Sequence, residues 1–368
     1  MRSLVVTDSR IWTAETEYAV SVARAEARAG ADVTFASPGA RFAAALPGVR
    51  ALDLPGEVPS RSPRDFAAAM RWLAALARRE RFDVVHSARA TAHLAAALSL
   101  DRRLPIVHLR GTASPPRAHP ANRFLYGRLT RAVVASSSSV RRAVIERLGM
   151  PPERVHRLLA PVDDDAFRPG VRDDSLAASL GIRAGAEVVM NVARLAPVKG
   201  HEVLVRAMAR VVAERPRAVL VLVGEPWSGQ PEGLRSLAER LGIGASVLFA
   251  GRREDVPALL ALADVCVSSS VGSEENSRAV GEYMAAGRAV VATSVGVVPE
   301  LVEHGVSGLL APPGDEAALA SSLLAVLSDR ALAGRMGADG RRLTEERFST
   351  GAFSAGLAAV LDAAGVRA

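Results

Sequence analysis

Two short stretches hold side chains suited to gripping a phosphorylated ligand. In RLAPVKG, Arg194 and Lys199 stand five positions apart, between the apolar run VVMNVA and a helical pattern beginning at Gly200. A guanidinium presents a planar fork of donors and an ammonium a compact point charge, so two such cations on one loop can clamp a diphosphate from two sides. Lys199 is also the single lysine among 46 Lys and Arg residues. In SSVGSEENSRAVGEYMAAG, seven residues separate Glu274 from Glu282. The first reads as a loop residue and the second as part of the following helix, where a carboxylate can accept hydroxyl donors from a ribose or a hexose. Ser277 reads as the N-cap of that helix, and the backbone amides near Arg278 and Ala279 as donors to phosphate or sugar oxygens.

These residues need a scaffold, and the chain alternates strand and helix patterns throughout. SLVVT, DVTFAS, FDVVHS, PIVHL and AVVASS are short apolar runs separated by helical stretches such as PRDFAAAMRWLAALARRE and SVRRAVIERLG. This is the syntax of a parallel sheet covered on both faces. APVDDDAFRPGVRDD interrupts it with polar residues, two prolines and a glycine, as an interdomain linker would. A second series follows: VVMNVA, AVLVLVG, SVLFAG, DVCVSSS and AVVATS, with helices between. The expectation is an α/β protein of two doubly wound, Rossmann-like domains facing each other across a cleft. The boundaries read as 1–162, a linker at 163–175, 176–345, and a closing helical segment at 346–368 that packs back on the first domain. Ligands of such sheets bind at the carboxyl ends of the strands, which is where Arg194, Lys199 and Glu274 fall.

Composition narrows the class. At 368 residues, with 49% hydrophobic and 23% charged residues, the chain has the length of two ordinary globular domains. The lone Cys266 lies in an apolar run and reads as a buried small hydrophobe. No run approaches the ~18 apolar residues of a membrane span, and MRSLVVTDSR is too short and too polar for a signal peptide, so a cytoplasmic location is expected. Residues 1–170 carry 26 arginines against 16 acidic residues, and Arg102–Arg142 holds nine arginines and no acid. Phe124, Leu125, Tyr126 and Leu129 lie among those arginines, a pattern suited to an anionic membrane surface. Nucleic acid is disfavoured, because zinc-finger spacing and interleaved stacking aromatics are missing. Asp163–Asp165 contain an Asp-x-Asp, but in the linker rather than at a strand end, so no metal site is assigned.

Taken together, the residues from Glu187 to Asp315 resemble the donor-binding domain of retaining glycosyltransferases of family 4, the glycosyl transferases group 1, in their bacterial members. Arg194, Lys199 and Gly200 match an Arg-x4-Lys-Gly motif, Glu274 and Glu282 a Glu-x7-Glu motif, and AVVATSVGVVPE a loop ending in Pro-Glu. The resemblance implies the GT-B fold. It also implies that Arg194 and Lys199 hold the donor diphosphate and stabilise it as it leaves, that Glu274 faces the donor sugar, and that Glu282 accepts the ribose hydroxyls. Asn276, Ser277, Arg278 and Ala279 then line sugar and phosphate. Where the family has Gly-Phe-Gly after the first glutamate, this chain has Glu275, Asn276 and Ser277. DSRIW and RFDVVHSARATAH resemble the first-strand and third-strand regions of the N-terminal half. There Thr13, Ala14 and Glu15 replace a glycine-rich loop, Arg110 stands near the position of a catalytic-site histidine, and His86 reads as a polar group facing the cleft. These five residues form the expected acceptor side. The activity implied is metal-independent transfer of a sugar, with retention, from a nucleoside diphosphate donor (UDP favoured, GDP or ADP as alternatives) to a saccharide or lipid-linked acceptor of the cell surface, of lipopolysaccharide type. No cofactor beyond the nucleotide sugar is called for. A catalytically inactive nucleotide-sugar-binding protein and a GT-B epimerase are the alternatives. A dinucleotide oxidoreductase is a further alternative, disfavoured by the missing Gly-x-Gly-x-x-Gly after the first strand.

Overall fold

The computed structural model describes residues 1–55, 62–112, 116–227, 229–272, 274 and 276–366. The chain divides into two compact units, Met1–Pro161 with Thr350–Ala368, and Val162–Ser349. Each is a parallel sheet covered by helices on both faces.

In unit 1 the strands are β1 (Arg2–Thr7), β2 (Asp32–Ser37), β3 (Arg50–Asp53), β4 (Val84–Ala88), β5 (Ile106–Arg110), β6 (Ala132–Ala135) and β7 (Val155–Arg157). They lie in the order β3-β2-β1-β4-β5-β6-β7, all parallel. The chain builds outward on one side of β1 and then returns to its other side at β4. The crevice between the ends of these two strands is therefore the topological switch point, where the flanking connections diverge and leave room for a ligand. In unit 2, β8 (Glu187–Val192), β9 (Ala218–Val223), β10 (Val247–Gly251), β11 (Val265–Ser268), β12 (Val290–Thr293) and β13 (Gly308–Ala311) follow the order β10-β9-β8-β11-β12-β13, and the switch point lies between β8 and β11.

The central strands are mostly apolar because helices cover both sides, with Ser3, His86, Ser87, His108 and Asn191 as buried polar exceptions. β3, β7 and β13 do not stand out in the sequence. RALD, VHR and GLLA are short edge strands, and β3 and β7 are only partly buried. Helix ends follow local chemistry. Thr13 caps helix Ala14–Arg28 by accepting the Thr16 N–H at 3.2 Å, and Gly149 ends helix Ser138–Leu148 in the left-handed region.

The expected linker needs correcting. Val162 forms a parallel bridge with Ser349, and Arg341 donates to the carbonyls of Asp164 and Phe167, so residues 162 onward are built into unit 2. Asp163 closes a local turn by accepting the Ala166 N–H at 3.0 Å, and helix Asp174–Ser179 begins inside the expected linker. Helix Thr350–Ala363 is counted with unit 1. There Phe353 meets Tyr18 edge to face at 5.7 Å between centroids, and Phe353, Leu357, Val360 and Leu361 are buried with Val20 and Phe35 in one core cluster. No single helix among the described residues is long and apolar enough to cross a membrane; the bent pair Glu316–Ser328 and Arg330–Arg347 meets the length and composition test only when its two helices are taken together.

Candidate functional site

The switch point of unit 2 is built by two strand ends that face each other. After β8 the backbone runs through Arg194 and a single 3-10 turn, Pro197–Lys199, into helix His201–Glu214. Gly200 sits between turn and helix at φ 65°, and a Cβ there would stand 2.0 Å from the Ser269 carbonyl oxygen. Only glycine allows that approach, which presses the Lys199 loop against the end of β11. The contact is reinforced by the Ser269 hydroxyl donating to the Lys199 carbonyl at 2.9 Å and the Val271 N–H to the Val198 carbonyl at 2.9 Å. One strand end thus fixes the other before any ligand arrives.

Glu274 is held from two directions. Its backbone carbonyl accepts the Val297 N–H at 2.8 Å, and Gly296, at φ 57°, lets that loop pass so closely that a Cβ would stand 2.2 Å from the same carbonyl oxygen. Its carboxylate accepts from the Lys199 ammonium and from the Ser270 hydroxyl. The glutamate side chain is 8% exposed and the lysine 26%, so this is a nearly dry pair aimed at the strand ends rather than a surface bridge. Arg194 is exposed and lies apart from it, its guanidinium 4.6 Å from the ring centroid of Trp227, a cation–π arrangement with a half-exposed tryptophan on the loop after β9.

Helix Arg278–Ala285 starts at the same edge. Glu282 is buried within it and accepts from Arg278 Nε at 2.6 Å, one helical turn away. Ser277 occupies the N-cap position but departs from expectation. Its φ of 33° and ψ of 49° are left-handed, and its hydroxyl makes no capping bond. A side chain in that conformation does not reach back over the first turn as an extended N-cap residue does. Asn276 and Ala279 flank it, both half-buried. Glu275 lies outside the described residues.

Three contributors to this edge lack an obvious sequence signal. Tyr283, fully buried, accepts the Val192 N–H at 2.7 Å and so pins the last residue of β8, two positions before Arg194. Ser270 and Trp227 act on Glu274 and Arg194 as described. Trp227 is one of only three tryptophans in the chain and follows a strand end, which is the one hint its position gives.

In unit 1 two of the expected acceptor-side residues, Glu15 and Arg110, lie close enough to feel each other's charge, while His86 is taken up in the sheet interior. Arg110 is the last residue of β5 and is buried; it hydrogen-bonds the Tyr126 hydroxyl. Glu15 lies in the first turn of helix Ala14–Arg28, Ala14 opens that helix, and Thr13 is its cap. His86 is a correction. It sits in the middle of β4 with no exposed surface, and its Nε2 lies 2.7 Å from Glu26, whose other oxygen accepts from Ser3. Burial pushes the Glu26 carboxyl up, but the His86 imidazole and the hydrogen bonds from His86 and Ser3 outweigh it and hold the group below the usual range. The pair belongs to the interior of the sheet. His108 is likewise interior. It stacks on His93 at 4.1 Å, and burial, then the neighbouring charges, push both imidazoles down, His93 to about 3. Ser87 and Thr130 hold the two nitrogens of the His93 ring, and both imidazoles are buried within reach of the Arg110 charge.

Known proteins resemble this chain in sequence and fold. A family model described as Glycosyltransferase Family 4 matches residues 16–166, and one described as Glycosyl transferases group 1 matches residues 186–329. A D-inositol 3-phosphate glycosyltransferase of Thermobispora bispora is 32% identical over 301 residues, covering 75% of this chain and 68% of the relative. The protein of that name in Mycobacterium tuberculosis H37Ra is 30% identical, but the chain spans only 62% of its length. Among solved structures, a glycosyltransferase from Rickettsia africae superimposes with a TM-score of 0.85 at 18% identity over 98% of both chains. The Anabaena protein HepE in complex with UDP gives 0.82 at 24% identity, over 98% of this chain and 100% of its own. At such identities the solved structures speak for the two-domain GT-B fold alone, whereas the matches in sequence reach further: the chain belongs to the family 4 glycosyltransferases, the glycosyl transferases group 1.

Proposed function

We propose that the chain moves a sugar from a nucleoside diphosphate sugar, with UDP as the favoured nucleoside diphosphate, to a hydroxyl of a saccharide or lipid-linked acceptor of the cell surface, with retention at the anomeric carbon and without a metal ion. The observation that carries this reading is the convergence of Lys199 and Glu274 at the unit 2 switch point, with Arg194 on the same loop. The bond from the anomeric carbon to the diphosphate breaks, a bond to the acceptor oxygen forms on the same face, and the hydroxyl proton leaves with the diphosphate. Charge building on the departing diphosphate needs fixed cations, and Lys199 and Arg194 supply two. For the donor to take Lys199, the ammonium must share or leave Glu274; for the ribose to take Glu282, Arg278 must turn away. Diphosphate and ribose hydroxyls thus compete with Glu274 and Arg278 for the same groups.

The test is nucleotide release from a panel of UDP-, GDP- and ADP-sugars, with and without EDTA, with acceptors that include saccharides, a glycolipid extract and myo-inositol phosphate, the last because the relatives at 30–32% identity are named for such a substrate. Release with a UDP-sugar, unchanged by EDTA, is expected. Loss with EDTA ends the metal-free mechanism, and donor binding without release with any acceptor favours the inactive binding protein.

The membrane-surface proposal becomes narrower. Leu125 and Tyr126 are buried and Leu129 is partly so, while Arg131 and Arg141 donate to backbone carbonyls. Outward-facing groups that remain are Phe124 at 52% exposure, Leu94 and Leu98 on the helix after β4, and Arg102, Arg103, Arg117, Arg123, Arg128 and Arg142. Each cation close to an anionic bilayer contributes about 1 kcal/mol. Sedimentation with vesicles containing anionic lipid should therefore exceed that with neutral vesicles and fall as salt rises. Equal sedimentation with both would remove the membrane from this account.

A further inference from the structure

The sheet of unit 1 carries a second concavity, at the end opposite the carboxyl ends of its strands. Where β5 and β6 begin, a cavity of about 680 Å³ is lined by Arg102, Arg103, Arg128, Arg131 and Arg154 and by no acidic residue. Its volume falls within the roughly 300–1,000 Å³ of small-ligand pockets. Asp101, Glu153 and Asp362 each directly precede a lining residue, but all three are exposed and none lines the cavity.

The five arginines divide into a floor and a rim. Arg154 donates from Nε to the Arg131 carbonyl at 3.0 Å, from Nη1 to the Gly127 carbonyl at 3.0 Å and from Nη2 to the Thr130 carbonyl. Arg131 donates from Nε to the Ala364 carbonyl at 2.7 Å, just past helix Thr350–Ala363. These bonds join the turn Leu125–Leu129, the start of β6 and the end of the last helix into one base. Burial, then the charge of Arg131, push the Arg154 guanidinium below its ordinary range, with Glu153 offsetting only part of this. On the rim, Arg102, Arg103 and Arg128 are exposed, and their side chains make no hydrogen bond or ion pair among the described residues. Elsewhere, partly buried arginines are answered by carboxylates, Arg215 by Glu187 and Arg253 by Asp255. Here five guanidinium groups converge and no carboxylate meets them.

We propose that this cavity is an anion site for a compact phosphate compound carrying two or more charges, either a free polyphosphate or the phosphomonoester headgroup of a lipid. The lining side chains select for it. Arginines only donate, and the Thr130 hydroxyl is already engaged by His93 and the Leu125 carbonyl. A cation finds no side-chain acceptor there, and a neutral sugar finds none for its hydroxyl protons. A phosphate takes the planar forks of the rim on its oxygens and offsets the mutual repulsion of the guanidinium groups. The site lies in the other unit from the Lys199 clamp and holds whether or not the glycosyltransferase reading does. Because its base includes the Ala364 carbonyl, a bound anion bridging rim and base fastens the end of the last helix to the sheet of unit 1.

The experiment is isothermal titration calorimetry of the full chain with sodium pyrophosphate, in EDTA and with saturating UDP so that the donor clamp is occupied. Saturable binding is expected, weaker for inorganic phosphate and weaker as salt rises. Arg102→Gln and Arg128→Gln each remove one exposed cation without removing a hydrogen bond of the fold, and should each weaken pyrophosphate binding by about tenfold. Arg240→Gln, at an exposed arginine of unit 2, should leave it unchanged. Vesicles separate the two sources. Sedimentation with phosphatidic acid vesicles that exceeds sedimentation with phosphatidylserine vesicles of matched surface charge, and that pyrophosphate reverses, assigns the site to a lipid headgroup. Equal sedimentation with calorimetric binding intact assigns it to a soluble phosphate. A chain that takes up neither pyrophosphate nor phosphatidic acid selectively, or that does so as well with Arg102 and Arg128 both replaced, overturns the site.

Discussion

Lys199→Ala is expected to lower kcat for sugar transfer by about 10²–10³-fold, the usual cost of deleting one preorganised charge from a transition state. The donor KM should rise much less, because the negative charge that Lys199 answers grows as the diphosphate departs. The substitution also strands Glu274, which is nearly dry and would keep only the Ser270 hydroxyl. A charge-assisted bond of this kind contributes about 1.5–3 kcal/mol, so some local loosening is expected as well. Lys199→Arg separates the two effects. It keeps the cation and an ion pair with Glu274, and so the fold. Yet Gly200 presses the Lys199 backbone against Ser269, leaving no slack to accommodate a longer, planar group. Loss of roughly tenfold or more in kcat with unchanged thermal stability is the expected result. Steady-state kinetics with a responsive UDP-sugar decide it, and unsubstituted rates in both variants would remove Lys199 from the chemistry.

The largest effect on stability should come from Phe353→Ala. Phe353 is 1% exposed and packs edge to face on Tyr18, in a helix whose Gly356 passes so close to Leu158 that a Cβ would stand 2.6 Å from its Cδ1. Truncating a buried phenylalanine costs about 3–5 kcal/mol, because the lost contacts are only partly recovered by collapse of the hole. The loss should be local. Amide exchange in β1, β2 and helix Ala14–Arg28 should quicken by roughly 10²–10³-fold or more, and exchange in β8, β9 and β11 should not. Quickening in both units alike, or in neither, would contradict the assignment of helix Thr350–Ala363 to the core of unit 1.

How far residues speak for themselves depends on how far away their partners are. The central strands of both sheets are legible because a strand buried on both faces is largely apolar. β3, β7 and β13 are not, since a three- or four-residue edge strand shows too little pattern. At the unit 2 site, motif spacing picks out Lys199 and Glu274, and the structure places them in contact although 75 positions separate them. The chain around His86 presents it as a polar residue near a strand end. What decides its place is Glu26, 60 positions earlier, on a helix that packs over the same strand. Ser277 has the right residue type for a cap, but the backbone turns left-handed to pass through the Glu274 loop, and no local propensity foretells that.

The division of the chain has a consequence for how the molecule is made. Unit 1 takes its last helix from beyond residue 349, after the whole of unit 2. During synthesis domains form as they emerge, the earlier ones first. Here the order is inverted: residues 162–349 can close their own core while the first 161 residues wait on the ribosome with Tyr18 and its neighbours uncovered. Residues 1–161 can thus be completed only after the whole of residues 162–349 has been made.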